Sequence, residues 1–472
     1  MTTVGIAGAG TMGAGIAALA SEHGLRTIVH DPAQPGRAAL EDLAAADIVI
    51  EAVPEDLGLK RTVFADLARV VRPDCVLATN TSSLSVTALA AEVPSPERVV
   101  GMHFFNPPSK MRLVEVVAGE ESGQAALAAA RSVAEAMGKH VIDAADGPGF
   151  IVNRCNRPFG LEALRIVQER LATPEQVDRI CRMAGGFRMG PFELMDLVGL
   201  DVGLAVSRSF YEQSFGEPRW RPSVLAARMV AGGRLGRKSG RGWYAYPPGR
   251  PPDPSPPARG GGSGLVVIAG DTALAEELRE AAASAGWDAV EPAEAEGEVP
   301  ALIVDCGETE DDTPLQGAHQ VVLCDQAPLA ELDPGGGSAG FSLLPPLGRL
   351  AELTVQETTA PGAVAAAERF FGTLGMVVER VGDAPGLVLA RIVVGLVNEA
   401  CFAVGEGVGS EADVDAGMVL GLNHPRGPFE WGATVGFDVV AGLLAGLWEE
   451  YRSECYRPAP ELLRRVRTST PH

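Results

Sequence analysis

The chain repeats itself, and the repeat limits what it can fold into. Asp146-Gly-Pro-Gly149-Phe150 recurs as Asp383-Ala-Pro-Gly386-Leu387, Val177-Asp178 as Val414-Asp415, and Gly190-Pro-Phe-Glu193 as Gly427-Pro-Phe-Glu430, all at one constant offset. The opening strand motif also returns, as Val267-Ile-Ala-Gly270, followed by a helix-like stretch to Gly286 and a buried-strand candidate at Ala301 to Val304. This is the pattern of a tandem duplication. A length of 472 residues agrees with several domains, since it exceeds what one ordinary core accommodates.

Residues 1–145 alternate short Val/Ile/Ala strands with Ala-rich helical stretches, which predicts a Rossmann-type doubly wound parallel sheet. Residues 146–246 turn helical. The Pro/Gly-rich stretch 247–264 reads as an exposed linker without helix or strand. Beyond it, 265–382 is expected to be a degenerate copy of the sheet domain and 383–472 a second helical domain, so the fold class is α/β plus all-α, in tandem.

Charge and cysteine usage remove several function classes. A net charge of −22 argues against a nucleic-acid partner, which would need a basic face. No apolar run approaches the length of a membrane span, and no basic segment precedes Val4, so neither a membrane partner nor a signal peptide is expected and a cytoplasmic setting is. Seven cysteines without a C-x-x-C pair predict free thiols, with no disulfide framework and no metal site.

Gly8-x-Gly10-x-x-Gly13 follows the strand Val4 to Ala7 and opens a helix, with Thr11 and Met12 between its last two glycines. In that context the first glycine permits a tight turn, the second a close approach of pyrophosphate to backbone, and the third close packing of helix on strand. Asp31 ends the next strand, where a carboxylate can accept the adenosine ribose hydroxyls and repels a 2′-phosphate. The expected cofactor is therefore NAD and not NADP.

Gly101-Met-His103-Phe-Phe-Asn106-Pro107-Pro108, followed by Leu113-Val-Glu115-Val-Val, resembles the signature of the 3-hydroxyacyl-CoA dehydrogenase family. Asn80-Thr81-Ser82-Ser83-Leu84 and Asp146-Gly-Pro-Gly-Phe-Ile-Val-Asn153-Arg154 are similar to it as well, over residues 1 to about 246. The resemblance implies a site with His103 as base, Glu115 as its carboxylate partner, and Ser82 and Asn153 as hydrogen bonders to substrate. It also implies substrate contact at Asn106 and cofactor contacts at Glu55, Lys60 and Asn80. The chemistry suits these residue types: hydride leaves C3 while the hydroxyl proton needs a base near neutral pH, and imidazole is such a base. Arg234-Leu-Gly-Arg237-Lys238-Ser-Gly-Arg241 resembles the family's glycine-rich tail, either meeting an anionic substrate or forming a packed terminal loop.

The sequence departs from the family in two places. Only Pro32 to Ala46 separate Asp31 from the next strand, where family members insert a long helical pair that grips coenzyme A. This opens, beside oxidation of a short (S)-3-hydroxyacyl-CoA, the same reaction on an acyl group tethered to a carrier protein. Oxidation of a free sugar acid and an inert NAD-binding structural protein are the other readings. In the second copy the constant offset sets Gly340 against His103 and Ala390 against Asn153, while Glu352 matches Glu115, and Thr272 and Ala275 replace two motif glycines. The second copy is expected to be inactive and to complete an internal pseudo-dimer, the alternative being a homodimer of the kind family members with one helical domain form.

Overall fold

Seven short strands of Val, Ile, Leu and Ala open the chain and form one twisted sheet in a computed structural model that describes residues 2–295, 297–307 and 318–469. They are β1 (Thr3–Ala7), β2 (Arg26–His30), β3 (Ile48–Glu51), β4 (Val76–Thr79), β5 (Val99–Phe104), β6 (Leu113–Ala118) and β7 (His140–Ala145), in the order β2-β1-β3-β4-β5-β6-β7. Every residue of β1, β3, β4 and β5 is buried, as expected for strands with helices on both faces. The helix Thr11–Glu22 lays Gly13, Ile16, Ala17 and Ala20 into the core, a helical-period stripe. The chain reverses direction across the sheet between β1 and β3, which leaves a crevice at the carboxyl ends of these strands.

One strand pair departs from the parallel sheet expected: β5 and β6 are antiparallel, with His103 directly opposite Glu115. The reason is length, because residues 105–112 form too short a connection for a parallel crossover, which takes about a dozen residues or more.

The second sheet repeats the first. Strands β8 (Leu265–Ala269), β9 (Asp288–Val290), β10 (Leu302–Asp305), β11 (Gln320–Leu323), β12 (Ala339–Ser342), β13 (Leu350–Thr354) and β14 (Val377–Arg380) lie in the matching order, again with one antiparallel pair, β12 and β13. Its core is more aromatic, with Trp287, Phe341, Phe370 and Phe371. Residues 251–263 hold no regular element, as expected of the linker. They are tied down nonetheless, by Arg182 on Asp253 and by Gly260 N–H on the Thr373 carbonyl at 2.8 Å.

The chain forms two compact units that do not follow its linear order. The first comprises Met1–Asn156, Glu212–Ser214 and Phe402–Gly427, and the second the remaining segments. Within the first unit, the helix Glu411–Leu422 packs on the turn Val152–Cys155 and on β6 and β7. There Ala145 N–H donates to the Val408 carbonyl at 2.8 Å, and Arg154 pairs with Glu406 at 2.7 Å. Within the second unit, the helix Pro174–Met183 packs on β13, Gly382 N–H donates to the Leu171 carbonyl at 2.7 Å, and Arg391 pairs with Glu169 at 2.9 Å. Each of these bonds is the image of the other with the repeat copies exchanged, the reciprocity of an isologous dimer interface carried out inside one chain.

Candidate active site

The turn after β1 is shaped by its glycines. Gly8 sits at φ +102°, where a side chain is strained, and a Cβ on it would press the Ala52 carbonyl; a Cβ on Gly13 would collide with the Gly8 carbonyl. Gly10 starts the helix without a side-chain cap, and nothing lies within 4 Å of where its Cβ would be. Thr11 is exposed in the first turn, and Met12 is half-buried against the core. Asp31 accepts from Ala9 N–H through Oδ2 at 2.8 Å and from Ala33 N–H through Oδ1 at 2.9 Å. These bonds fix the carboxylate beside the loop and leave acceptor capacity, since a carboxylate has about four lone-pair sites. Arg37 is turned onto the Gln34 amide oxygen at 3.2 Å. An uncapped helix start with open space over Gly10 and an acid held next to it fit NAD: backbone amides for the pyrophosphate, Asp31 for the ribose.

Lys60, Glu55 and Asn80, the other expected cofactor residues, are each held by bonds within the protein. Lys60 is 1% exposed, and its ammonium is held by Glu51 at 2.8 and 3.0 Å and by the Val53 carbonyl at 3.3 Å. Glu51 ends a fully buried strand, and its carboxylate is the partner that lets the ammonium be buried there. Glu55 gathers the turn after β4, accepting from Thr81 Oγ1 at 2.6 Å, Ser82 N–H at 3.0 Å, and Ser83 N–H and Oγ at 3.2 and 3.0 Å. Burial works against its charge, yet the nearby Lys60 and these hydrogen bonds hold its carboxyl below the usual range. Asn80 accepts from Phe104 N–H at 2.9 Å and so joins the ends of β4 and β5.

His103 and Glu115 face each other across β5 and β6, 6% and 0% exposed, with His103 Nδ1 to Glu115 Oε2 at 2.6 Å. The other carboxylate oxygen accepts from Ile151 N–H at 3.1 Å and Val152 N–H at 3.0 Å. Phe105 lies 4.5 Å from the imidazole ring, and Phe150, at φ +52°, meets it edge-on at 5.9 Å. Asn153 follows in the same turn and donates to the Ser82 carbonyl at 3.4 Å. The fold thus brings Ser82, His103, Glu115 and Asn153 together, whereas Asn106 stands exposed in the turn after β5. With Nδ1 engaged by a carboxylate, Nε2 is the ring nitrogen able to exchange a proton with a substrate hydroxyl.

The sequence reading missed Glu51, although an acid in the otherwise apolar Ile48-Val-Ile-Glu51 signals a buried partner. It missed as well that residues 402–427 pack on the turn holding Asn153 and Glu115; only the repeat hinted at that exchange.

The second copy lacks this chemistry, and the strand register corrects one match. Glu352 lies opposite Ser342, and Gly340 opposite Thr354, so the counterpart of His103 is Ser342. The strand segment is displaced by two residues from the offset that fits the rest of the copy. Glu352 still accepts from Val388 and Leu389 N–H at 2.8 and 3.0 Å, and burial without a cationic partner pushes its carboxyl up to about 8. In the glycine turn, Thr272 Oγ1 caps the helix at Ala275 N–H, and Arg279 lies on the carbonyls of Ile268 and Gly270 at 3.0 and 3.3 Å. One of the leading helix amides, Ala275 N–H, is thereby taken by the side chain that replaces a motif glycine. In the tail of the first helical domain, Asp196 accepts from Trp243 N–H, Tyr244 N–H and the Tyr246 hydroxyl, and Lys238 pairs with Asp201, so these residues form a packed loop.

Comparison with known proteins agrees with this geometry. Residues 35–147 match the family model described as 3-hydroxyacyl-CoA dehydrogenase, NAD binding domain, and residues 149–246 and 386–470 that of its C-terminal domain. The 3-hydroxyadipyl-CoA dehydrogenase of Escherichia coli K12 is 34% identical over 499 residues, covering 98% of this chain and 97% of its own. The 3-hydroxybutyryl-CoA dehydrogenase of Mycobacterium tuberculosis is 39% identical over 280 residues, covering 52% of this chain and 98% of its own. A crystal structure of an E. coli K12 3-hydroxybutyryl-CoA dehydrogenase superimposes with a TM-score of 0.83 at 32% identity, covering 99% of this chain and 98% of that one. The chain belongs to the 3-hydroxyacyl-CoA dehydrogenase family, in a tandem-duplicated form, and is an NAD-dependent oxidoreductase that converts a 3-hydroxyacyl-CoA to its 3-oxoacyl form.

Proposed function

We propose that the reaction takes place in the first half alone, on a short (S)-3-hydroxyacyl-CoA, with His103 as the base. The buried His103–Glu115 pair, 2.6 Å long, carries this reading. NAD, when bound, takes up hydride from C3. His103 Nε2 accepts the 3-hydroxyl proton as the carbonyl forms, and Glu115 fixes the tautomer and stabilises the imidazolium. Ser82 and Asn153 hold the 3-oxygen and the thioester carbonyl in line with the imidazole. Phe105 and Phe150 exclude water from the ring, which strengthens the charge interactions within.

A second reading of the acyl group is a dicarboxylic chain, favoured by the name of the E. coli relative that matches nearly the whole length. NAD-dependent oxidation of 3-hydroxybutyryl-CoA and 3-hydroxyadipyl-CoA, and of 3-hydroxybutyryl on a carrier protein, separates these readings. The proposal expects turnover of the butyryl-CoA substrate at a kcat/KM at least equal to the others. A preference of a hundredfold or more for the adipyl thioester replaces the acyl assignment, and turnover on the carrier alone replaces the handle.

A further inference from the structure

We infer that Glu406, contributed by the half of the chain without an imidazole base, is a positioning residue for the reaction at His103. The inference rests on the reading of His103 and Glu115 given above. The turn Val152–Cys155 is the joint. Its leading amides, Ile151 and Val152, hold Glu115; its next residue is Asn153; and its following residue, Arg154, is 4% exposed and pairs with Glu406 at 2.7 Å. Arg154 thus anchors, within three residues, both the carboxylate that orients the base and the amide beside Ser82.

The same face is pressed by residues around Glu406. Ala145, just ahead of the turn, donates its N–H to the Val408 carbonyl. Gly417 lies where a Cβ would press Val152 at 2.9 Å, and Gly421 where one would press Leu113 at 2.9 Å and touch Phe105 at 3.5 Å. Phe105 is the ring against His103. The turn is therefore clamped between Glu115 on one side and residues 406–421 on the other, and within that second segment Glu406 is the acid that pairs with Arg154.

The molecule contains its own control. Arg391 and Glu169 form the mirrored pair in the second unit, where Ser342 and Ala390 occupy the places of the base and the amide. If these pairs served folding alone, removing either acid would have the same consequence. If Glu406 positions the reacting groups, only its removal alters the chemistry.

The test uses the full chain with NAD and 3-hydroxybutyryl-CoA each varied up to saturation, comparing wild type, Glu406→Gln, Glu406→Asp, Glu169→Gln and His103→Ala, together with amide exchange at Ile151 and Val152. The expected result for Glu406→Gln is a kcat about tenfold lower, from misplacement of the reacting groups, with the KM for NAD within about twofold. Faster exchange at the two amides accompanies it, Glu406→Asp recovers most of the loss, and Glu169→Gln keeps wild-type kcat and KM. Wild-type kcat and exchange in Glu406→Gln, or equal losses in Glu406→Gln and Glu169→Gln, overturn the inference while an inactive His103→Ala leaves the site reading intact. Full turnover in His103→Ala overturns the site reading and the inference with it.

Discussion

Three carboxylates show how residue environment decides role. Glu115, Glu352 and Glu51 are all fully buried strand residues, but only Glu115 has an imidazole opposite it, Glu51 has an ammonium, and Glu352 has two backbone amides and no cation. Glu115→Gln keeps the shape yet loses the charge that stabilises imidazolium, so kcat should fall by about a hundredfold or more with the fold retained, checked by steady-state kinetics and circular dichroism. Glu352 makes a prediction about pH. Its folded carboxyl titrates near 8, against 4.5 for the ordinary group, so between these values the folded state holds a proton that the unfolded state has released. Stability from this group is complete below pH 4.5 and is lost as pH rises through 8. Asp178, raised to about 7, acts in the same direction, and His424, lowered to about 4, acts oppositely but only below pH 6.5. Urea midpoints at pH 6.5 and 8.5 should therefore fall in wild type, and fall less in Glu352→Gln; an identical fall in both would contradict the assignment.

At the scale of elements, the sequence made the nucleotide loop legible because its glycines and Asp31 lie within one strand-turn-helix-strand stretch, where local geometry decides. Asp31→Ala removes the acid held by Ala9 and Ala33 and should raise the KM for NAD tenfold or more, since hydrogen bonds to charged groups contribute about 1.5–3 kcal/mol. The antiparallel turn of β5 and β6 was also present in the sequence, as a connection too short to cross over. Less legible were Lys60 and the match of His103 to its second-copy counterpart. A motif position does not tell that a lysine meets a buried acid such as Glu51, and a two-residue displacement in one strand is invisible to an offset taken from helices. The buried network around Arg391, which reaches Glu162, Glu169, Tyr451 and Tyr456, was likewise hidden, because its members come from three distant segments. Arg391→Ala should lower stability by about 3 kcal/mol, as read from denaturant unfolding, because buried Glu162 then keeps only Arg165 and Tyr456 as partners.

Over the whole molecule, duplication has separated two tasks. One copy keeps a glycine turn open to a dinucleotide and a histidine facing a carboxylate; the other caps its turn with Thr272 and Arg279 and lends residues 402–427 to the first unit. Two consequences are measurable. Calorimetric titration should give one NAD per chain, and two would mean that the second turn opens. The reciprocal Arg154–Glu406 and Arg391–Glu169 pairs satisfy inside one chain what a dimer supplies between two, so the protein should sediment as a monomer. An obligate dimer would show that further surface needs covering. The central claim, that one imidazole in a duplicated chain performs the proton transfer, is tested most directly by NADH-dependent reduction of acetoacetyl-CoA in wild type and His103→Ala at equal folded concentration. The account predicts robust turnover in wild type and a loss of about a hundredfold to ten-thousandfold in the variant, with NAD still bound once per chain. Turnover of His103→Ala within a few-fold of wild type would contradict it.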